Sequence, residues 1–127
     1  MINVKAIDHL NFTIKNFKET LGFYQSVFGF ELLEEGFRMD GKPFKIVGIK
    51  GKFALCLSEE ENFTKTESFN HFGLHVDNFD DVINILDERG IDYQYGGAVS
   101  YDHSRSVYTS DPNGHEIEIS EVAVGGL

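Results

Sequence analysis

The chain has 127 residues, enough for one domain with a sizeable core, and 41% of them are hydrophobic, 12 being Phe, which argues for a globular fold and against disorder. Eleven Lys and Arg against 21 Asp and Glu give a formal net charge of -10, a surface that repels phosphate backbones and argues against nucleic acid as a partner. The apolar runs are too short to span a bilayer, no basic segment precedes an apolar one near the start, and one Cys forms no internal disulfide, so a cytoplasmic protein without a membrane partner is expected.

In chain order, Ile7 to Ile14 alternates with period two and predicts a strand whose apolar face is Leu10, Phe12 and Ile14. His9, Asn11 and Thr13 share the opposite face. Asn16 is placed to cap a helix over roughly 17–28, with Phe17, Leu21, Tyr24 and Phe28 as its stripe and Gly29 as its left-handed stop. Strands are then expected over Phe30 to Phe37, Phe44 to Ile49 and Phe53 to Ser58, joined by turns at Asp40-Gly41 and Lys50-Gly51. In the last of these, Leu55 and Leu57 face the core, while Ala54, Cys56 and Ser58 face away. Residues 59–69 are acidic and aperiodic and read as a linker.

The order then repeats. Asn70 to Asp77 predicts a strand with Phe72, Leu74 and Val76 on one face and His71, Gly73 and His75 on the other. Asn78 is placed to cap a helix over roughly 79–89 with Phe79, Val82, Ile83 and Leu86 inward, ending at Gly90. Short strands follow at Ile91 to Tyr95 and, after a Gly96-Gly97 turn, at Ser104 to Ser110. Asp111-Pro112-Asn113-Gly114 is a strong turn signal, and His115 to Ser120 alternates, with Ile117 and Ile119 facing one way and Glu116, Glu118 and Ser120 the other.

Two strands some sixty residues apart thus carry a His in similar patterns, a spacing too long for a solenoid repeat. The reading is an α+β fold, a single domain over 1–127 made of two tandem βαβββ modules, about 1–60 and about 70–127, with helices covering one face of mixed sheet. The polar face of each sheet is where His9, His71 and Glu118 fall.

Asp8-His9-Leu10, Phe23-Tyr24, Gly29-Phe30 and Asp111 to Glu118 carry a resemblance over essentially the whole chain. The sequence resembles the vicinal oxygen chelate superfamily of glyoxalase I, bleomycin-resistance proteins, fosfomycin-resistance transferases and extradiol dioxygenases. The resemblance implies two modules forming a cup with a divalent metal at its floor, bound by a small-molecule substrate through adjacent oxygens. It assigns the metal ligands to His9, His71 and Glu118. Each taken alone reads as a solvated polar side chain; three at matching parity read as a ligand set. Two His and a carboxylate suit Fe(II), which is favoured, and also Mn, Zn or Ni. Cys56 falls where glyoxalase I has a fourth, glutamate ligand; it is the candidate fourth ligand or a small buried hydrophobe.

That Cys weakens a glyoxalase I reading. The fosfomycin transferases share Tyr108 and the last strand, but their substrate-binding Lys and Ser fall on Ala98 and Asp102 here. The stretch from Val107 through Glu118 resembles the extradiol signature, in which Tyr108 holds the substrate and an upstream His steers oxygen. His103 stands upstream at a shorter spacing than that signature has, and His75 is the second candidate for proton transfer. An extradiol-like dioxygenase is therefore the expected activity. The alternatives are a glyoxalase-like lyase or isomerase and a metal-free binding protein of the bleomycin-resistance kind. Family members this short associate, so a homodimer is expected.

Overall fold

The computed structural model describes residues 1, 3, 7, 9–64 and 71–126. They fall into two compact units divided between Thr64 and Lys65. The architecture is α+β, with one four-stranded mixed sheet in each unit. Among the described residues, no helix is long and apolar enough to cross a membrane.

The first unit runs β1 (Leu10–Ile14), α1 (Phe17–Phe28), β2 (Glu31–Phe37), β3 (Pro43–Ile49) and β4 (Phe53–Glu59). Helix α1 begins and ends where local chemistry says it should. Extended Asn16 accepts a hydrogen bond from the Glu19 amide through its side chain at 2.8 Å, and Gly29 takes the left-handed conformation at φ 65°. Tyr24 is fully buried and stacks on Phe30 with ring centroids 5.5 Å apart. Strands β2, β3 and β4 form an antiparallel meander, and β1 lies parallel to β4, giving the order β1-β4-β3-β2. Phe12, Ile14, Val47, Leu55 and Leu57 fill the core side, as parity predicts.

The second unit repeats this plan with β5 (Phe72–His75), a 3-10 turn (Phe79–Asp81), α2 (Val82–Glu88), β6 (Val99–Ser100), β7 (Arg105–Ser110) and β8 (Glu116–Ser120). Its order is β5-β8-β7-β6, with β5 parallel to β8 and the other pairs antiparallel. Phe72, Phe79, Val82, Leu86, Val107, Ile117 and Ile119 make its core.

Several expectations are corrected. Asn78 makes no side-chain cap; the segment enters through the 3-10 turn at Phe79–Asp81, and α2 is only seven residues long. Ile91 to Tyr95 is not a strand. It keeps one isolated bridge, Tyr93 to Thr109, because Tyr95, Gly96 and Gly97 all take positive φ and bend the chain away, leaving Val99–Ser100 as the edge strand. Both His-bearing strands start later than expected, at Leu10 and Phe72, so His9 and His71 precede rather than enter the ladders. Glu59 belongs to β4, not to the linker, and residues 65–70 of that linker lie outside the described residues.

Candidate metal and substrate site

The turn before β8 aims Glu118. Asp111, buried, accepts hydrogen bonds through Oδ1 from the amides of Asn113 (2.8 Å) and His115 (2.9 Å), and its Oδ2 lies 2.8 Å from His115 Nδ1. The Gly114 amide also donates to the Asp111 carbonyl. This is the local hydrogen bonding that suits Asp to turns. It fixes the register in which β8 leaves the turn, and hence the side of the sheet to which Glu118 is directed.

Glu118 pairs with Tyr108 across β7 and with Gly73 across β5. A methyl group built at Gly73 would meet only the Glu118 carbonyl, at 3.9 Å, so this neighbour leaves open space above the carboxylate. Ser106 Oγ donates to Glu118 Oε1 at 2.6 Å, and His71 Nε2 lies 2.8 Å from Glu118 Oε2. Both oxygens of one half-buried carboxylate are therefore engaged, one by a hydroxyl and one by an imidazole. The ring of Tyr108 stands edge-on to His71 at 5.8 Å, and its hydroxyl meets that of Tyr101 at 2.5 Å. Burial first, then the Tyr101 hydroxyl and the negative charge of Glu118, push Tyr108 well above the ordinary tyrosine range. It is a neutral phenol at neutral pH, able to donate a hydrogen bond.

Two cavities meet at Glu118. One of about 600 Å³ is walled by Tyr101, Asp102, His103, Ser106, Tyr108 and serines at 100 and 104. The other, about 530 Å³, is walled by Gly73, His75, Ser120, Ala123 and Val124. Of the residues singled out from sequence, His75, His103, Tyr108 and Glu118 line these two cavities, and His71 touches Glu118 and Tyr108. The sequence offers Tyr101 only as an aromatic wall and gives Ser106 no site signal. Ser106 shares Tyr108's parity, but its bond to Glu118 follows from the cross-strand register, which sequence alone does not print.

His9 and Cys56 belong to the first unit. His9 is exposed and lies one residue before β1. Cys56 pairs with Asn11 in the β1–β4 ladder just as Glu118 pairs with Gly73 in the β5–β8 ladder, so the two occupy equivalent positions of the repeated plan. Burial holds the Cys56 thiol above its ordinary pKa, and nearby Glu34 adds to this while Arg38 opposes it. Within the second unit, and among the described residues, no third His, Cys, Asp or Glu joins His71 and Glu118 to form a metal cage.

Comparison with known proteins places these features. Over 121 residues the chain is 27% identical to the metallothiol transferase FosB of Staphylococcus haemolyticus, covering 91% of this chain and 83% of that protein. A glyoxalase family protein from Enterococcus faecalis superposes with a TM-score of 0.77 at 25% identity, over 92% of this chain and 98% of that one. The fold is also that of the fosfomycin resistance protein FosX from Listeria monocytogenes, a point mutant of which was crystallised with Mn(II) and 1S,2S-dihydroxypropylphosphonic acid (TM-score 0.76, 17% identity, 96% of each chain). The family model of the Glyoxalase/Bleomycin resistance protein/Dioxygenase superfamily matches residues 6–119, and the chain belongs to that superfamily.

Proposed function

We propose that this protein is a metal-dependent enzyme that transfers a nucleophile to a small oxygen-bearing molecule, with His9, His71 and Glu118 holding a divalent cation. The observation that carries the reading is Glu118 tied to both His71 and Ser106 at the meeting of two cavities. The donor spacing suits an ion. His71 Nε2 and Glu118 Oε2 lie 2.8 Å apart, so both donor atoms would be presented to an ion held there. Ser106 is the outer group that orients the ligating carboxylate. His9 supplies the third donor, from the same chain or from a second copy in a homodimer. Two imidazoles and a carboxylate accept Mn(II), Fe(II), Zn(II) or Ni(II).

When bound, the ion supplies Lewis acidity toward a substrate oxygen. The chain's own residues do the rest. Tyr108 stays protonated and donates from Oη, with Tyr101 fixing the direction of that hydroxyl. His103 and His75 stand on opposite cavities as proton carriers. Likeness to proteins named metallothiol transferases supports nucleophile transfer over oxygen chemistry. Cys56 in place of a carboxylate weighs against a glyoxalase-like isomerase.

An extradiol-type dioxygenase is the second reading. It is favoured by His103, which lines the cavity of Tyr108 and Glu118 although its spacing in the sequence departs from the signature. One assay separates the two: metal-loaded protein is offered a small thiol with a panel of electrophiles, and catechols in an oxygen electrode. Thiol consumption without oxygen uptake, lost in Glu118→Gln, supports transfer. Oxygen uptake with catechols and no thiol consumption would move the assignment to the dioxygenase.

A further inference from the structure

The walls of the Tyr108 cavity carry information about substrate charge. Five of the lining groups are hydroxyls, from Tyr101, Tyr108, Ser106 and serines 100 and 104, with His103 beside them. Its charged groups are Asp102 and Glu118, and no Lys or Arg is among its described lining residues. The arginine of β7 does not reach it. Arg105 alternates with Ser106 and so faces the other side of the sheet, where its guanidinium lies over the Phe79 ring at 4.9 Å and pairs with Glu121 at 2.6 Å and Asp80 at 3.0 Å. That guanidinium is committed. Beyond any ion at Glu118, a phosphonate or phosphate dianion needs cationic, preferably bidentate side-chain partners, and the described walls instead offer it the exposed carboxylate of Asp102 in a chain of net charge -10.

We infer that the cavity takes an uncharged, hydroxyl-bearing small molecule and rejects phosphonates, with Asp102 as the residue that sets this selectivity. The inference rests on the proposed metal site. It sets this protein apart from the FosX structure that holds a phosphonate. Hydroxyl walls suit such a substrate because each Ser and Tyr both donates and accepts.

The test uses the full chain loaded with Mn(II), its metal content measured by mass spectrometry in the same sample. Binding of catechol and of methylphosphonate is followed anaerobically by the water-proton relaxation of the bound Mn(II), in the parent and in Asp102→Lys. The expected result is catechol binding at least about tenfold tighter than methylphosphonate in the parent. In Asp102→Lys, methylphosphonate should gain about tenfold, the size a single nearby charge reversal produces in a half-solvated site. Mn(II) bound, with methylphosphonate equal to or tighter than catechol, or with a ratio unmoved by Asp102→Lys, would overturn the inference and leave the metal site standing. Protein that binds no Mn(II) would overturn the metal site and the inference with it.

Discussion

Tyr108 and Glu118 are direct partners across the β7–β8 ladder, so the phenol and the carboxylate stand side by side on one face of the second sheet. Directly opposed neighbours on two paired strands have little freedom to separate, because the β7–β8 and β5–β8 ladders hold those strands in register. The ladder therefore carries Tyr108 and Glu118, while His71 meets Glu118 from the position just before β5.

Ser106 tests whether Glu118 is positioned or merely present. Ser106→Ala removes the 2.6 Å hydrogen bond to Glu118 Oε1 without touching the core side of β7. Loss of an outer partner of a ligating carboxylate costs about 10- to 100-fold in metal affinity. Competition titration with a metal indicator should show a loss of that size, with circular dichroism unchanged. Unaltered affinity would mean that Ser106 does not orient a ligand.

Cys56 should be a spectator. Its raised thiol pKa leaves little thiolate at neutral pH, so alkylation by iodoacetamide should be slow at pH 7 and should still be rising with pH where an ordinary thiol has levelled off. Cys56→Ser should keep the parent's metal content. Loss of metal in that variant would make Cys56 a ligand after all.

The two helix starts should respond differently to the same change. Asn16→Ala removes a cap that accepts the Glu19 amide and should destabilise the fold by about 1 kcal/mol in urea unfolding. Asn78 makes no such bond, and Asn78→Ala should be near neutral. Equal costs would show that the second helix is capped by Asn78 in solution.

That contrast also marks how far sequence reaches. Helix α1 is legible because its cap and its Gly29 stop are local and act through three hydrogen bonds and one left-handed φ angle. Asn78 presents the same residue type in the same place, yet its ψ of 48° and the 3-10 turn behind it are set by how Phe79 and Val82 bury themselves. Ile91 to Tyr95 has a strand's composition, but three successive positive φ angles bend the chain away and only one bridge survives. Period two puts His71, Tyr108 and Glu118 on a non-core face. Register then decides which of them touch, and the Ser106–Glu118 and Tyr101–Tyr108 contacts depend on it. Likeness to FosB relatives turns the reading from oxygen chemistry toward transfer, a distinction that a shared ligand set does not contain.

Glu121 should give the protein an acid-sensitive tether. Arg105 hydrogen-bonds Glu121 and holds its carboxyl below the ordinary glutamate range. A carboxyl with a lowered folded pKa contributes stability above its unfolded value, near 4.5, and that contribution fades as pH falls through the folded value. Glu121→Gln should therefore lower the urea midpoint at pH 7, and the gap from the parent should close as pH falls below 4.5 and through the folded value. A gap that persists at low pH would assign the effect to packing. Because the pair is largely solvent-screened, 1 M salt should narrow the gap at pH 7 as well.

The central claim is that His9, His71 and Glu118 hold a divalent cation. Elemental analysis by mass spectrometry tests it directly, on protein purified without chelator or affinity tag and beside His9→Ala, His71→Ala and Glu118→Gln. The expected result is near-stoichiometric manganese, iron, zinc or nickel in the parent and its loss in each variant, with far-ultraviolet circular dichroism preserved. A parent that holds no metal after loading and desalting, or variants that keep it in full, would contradict the account.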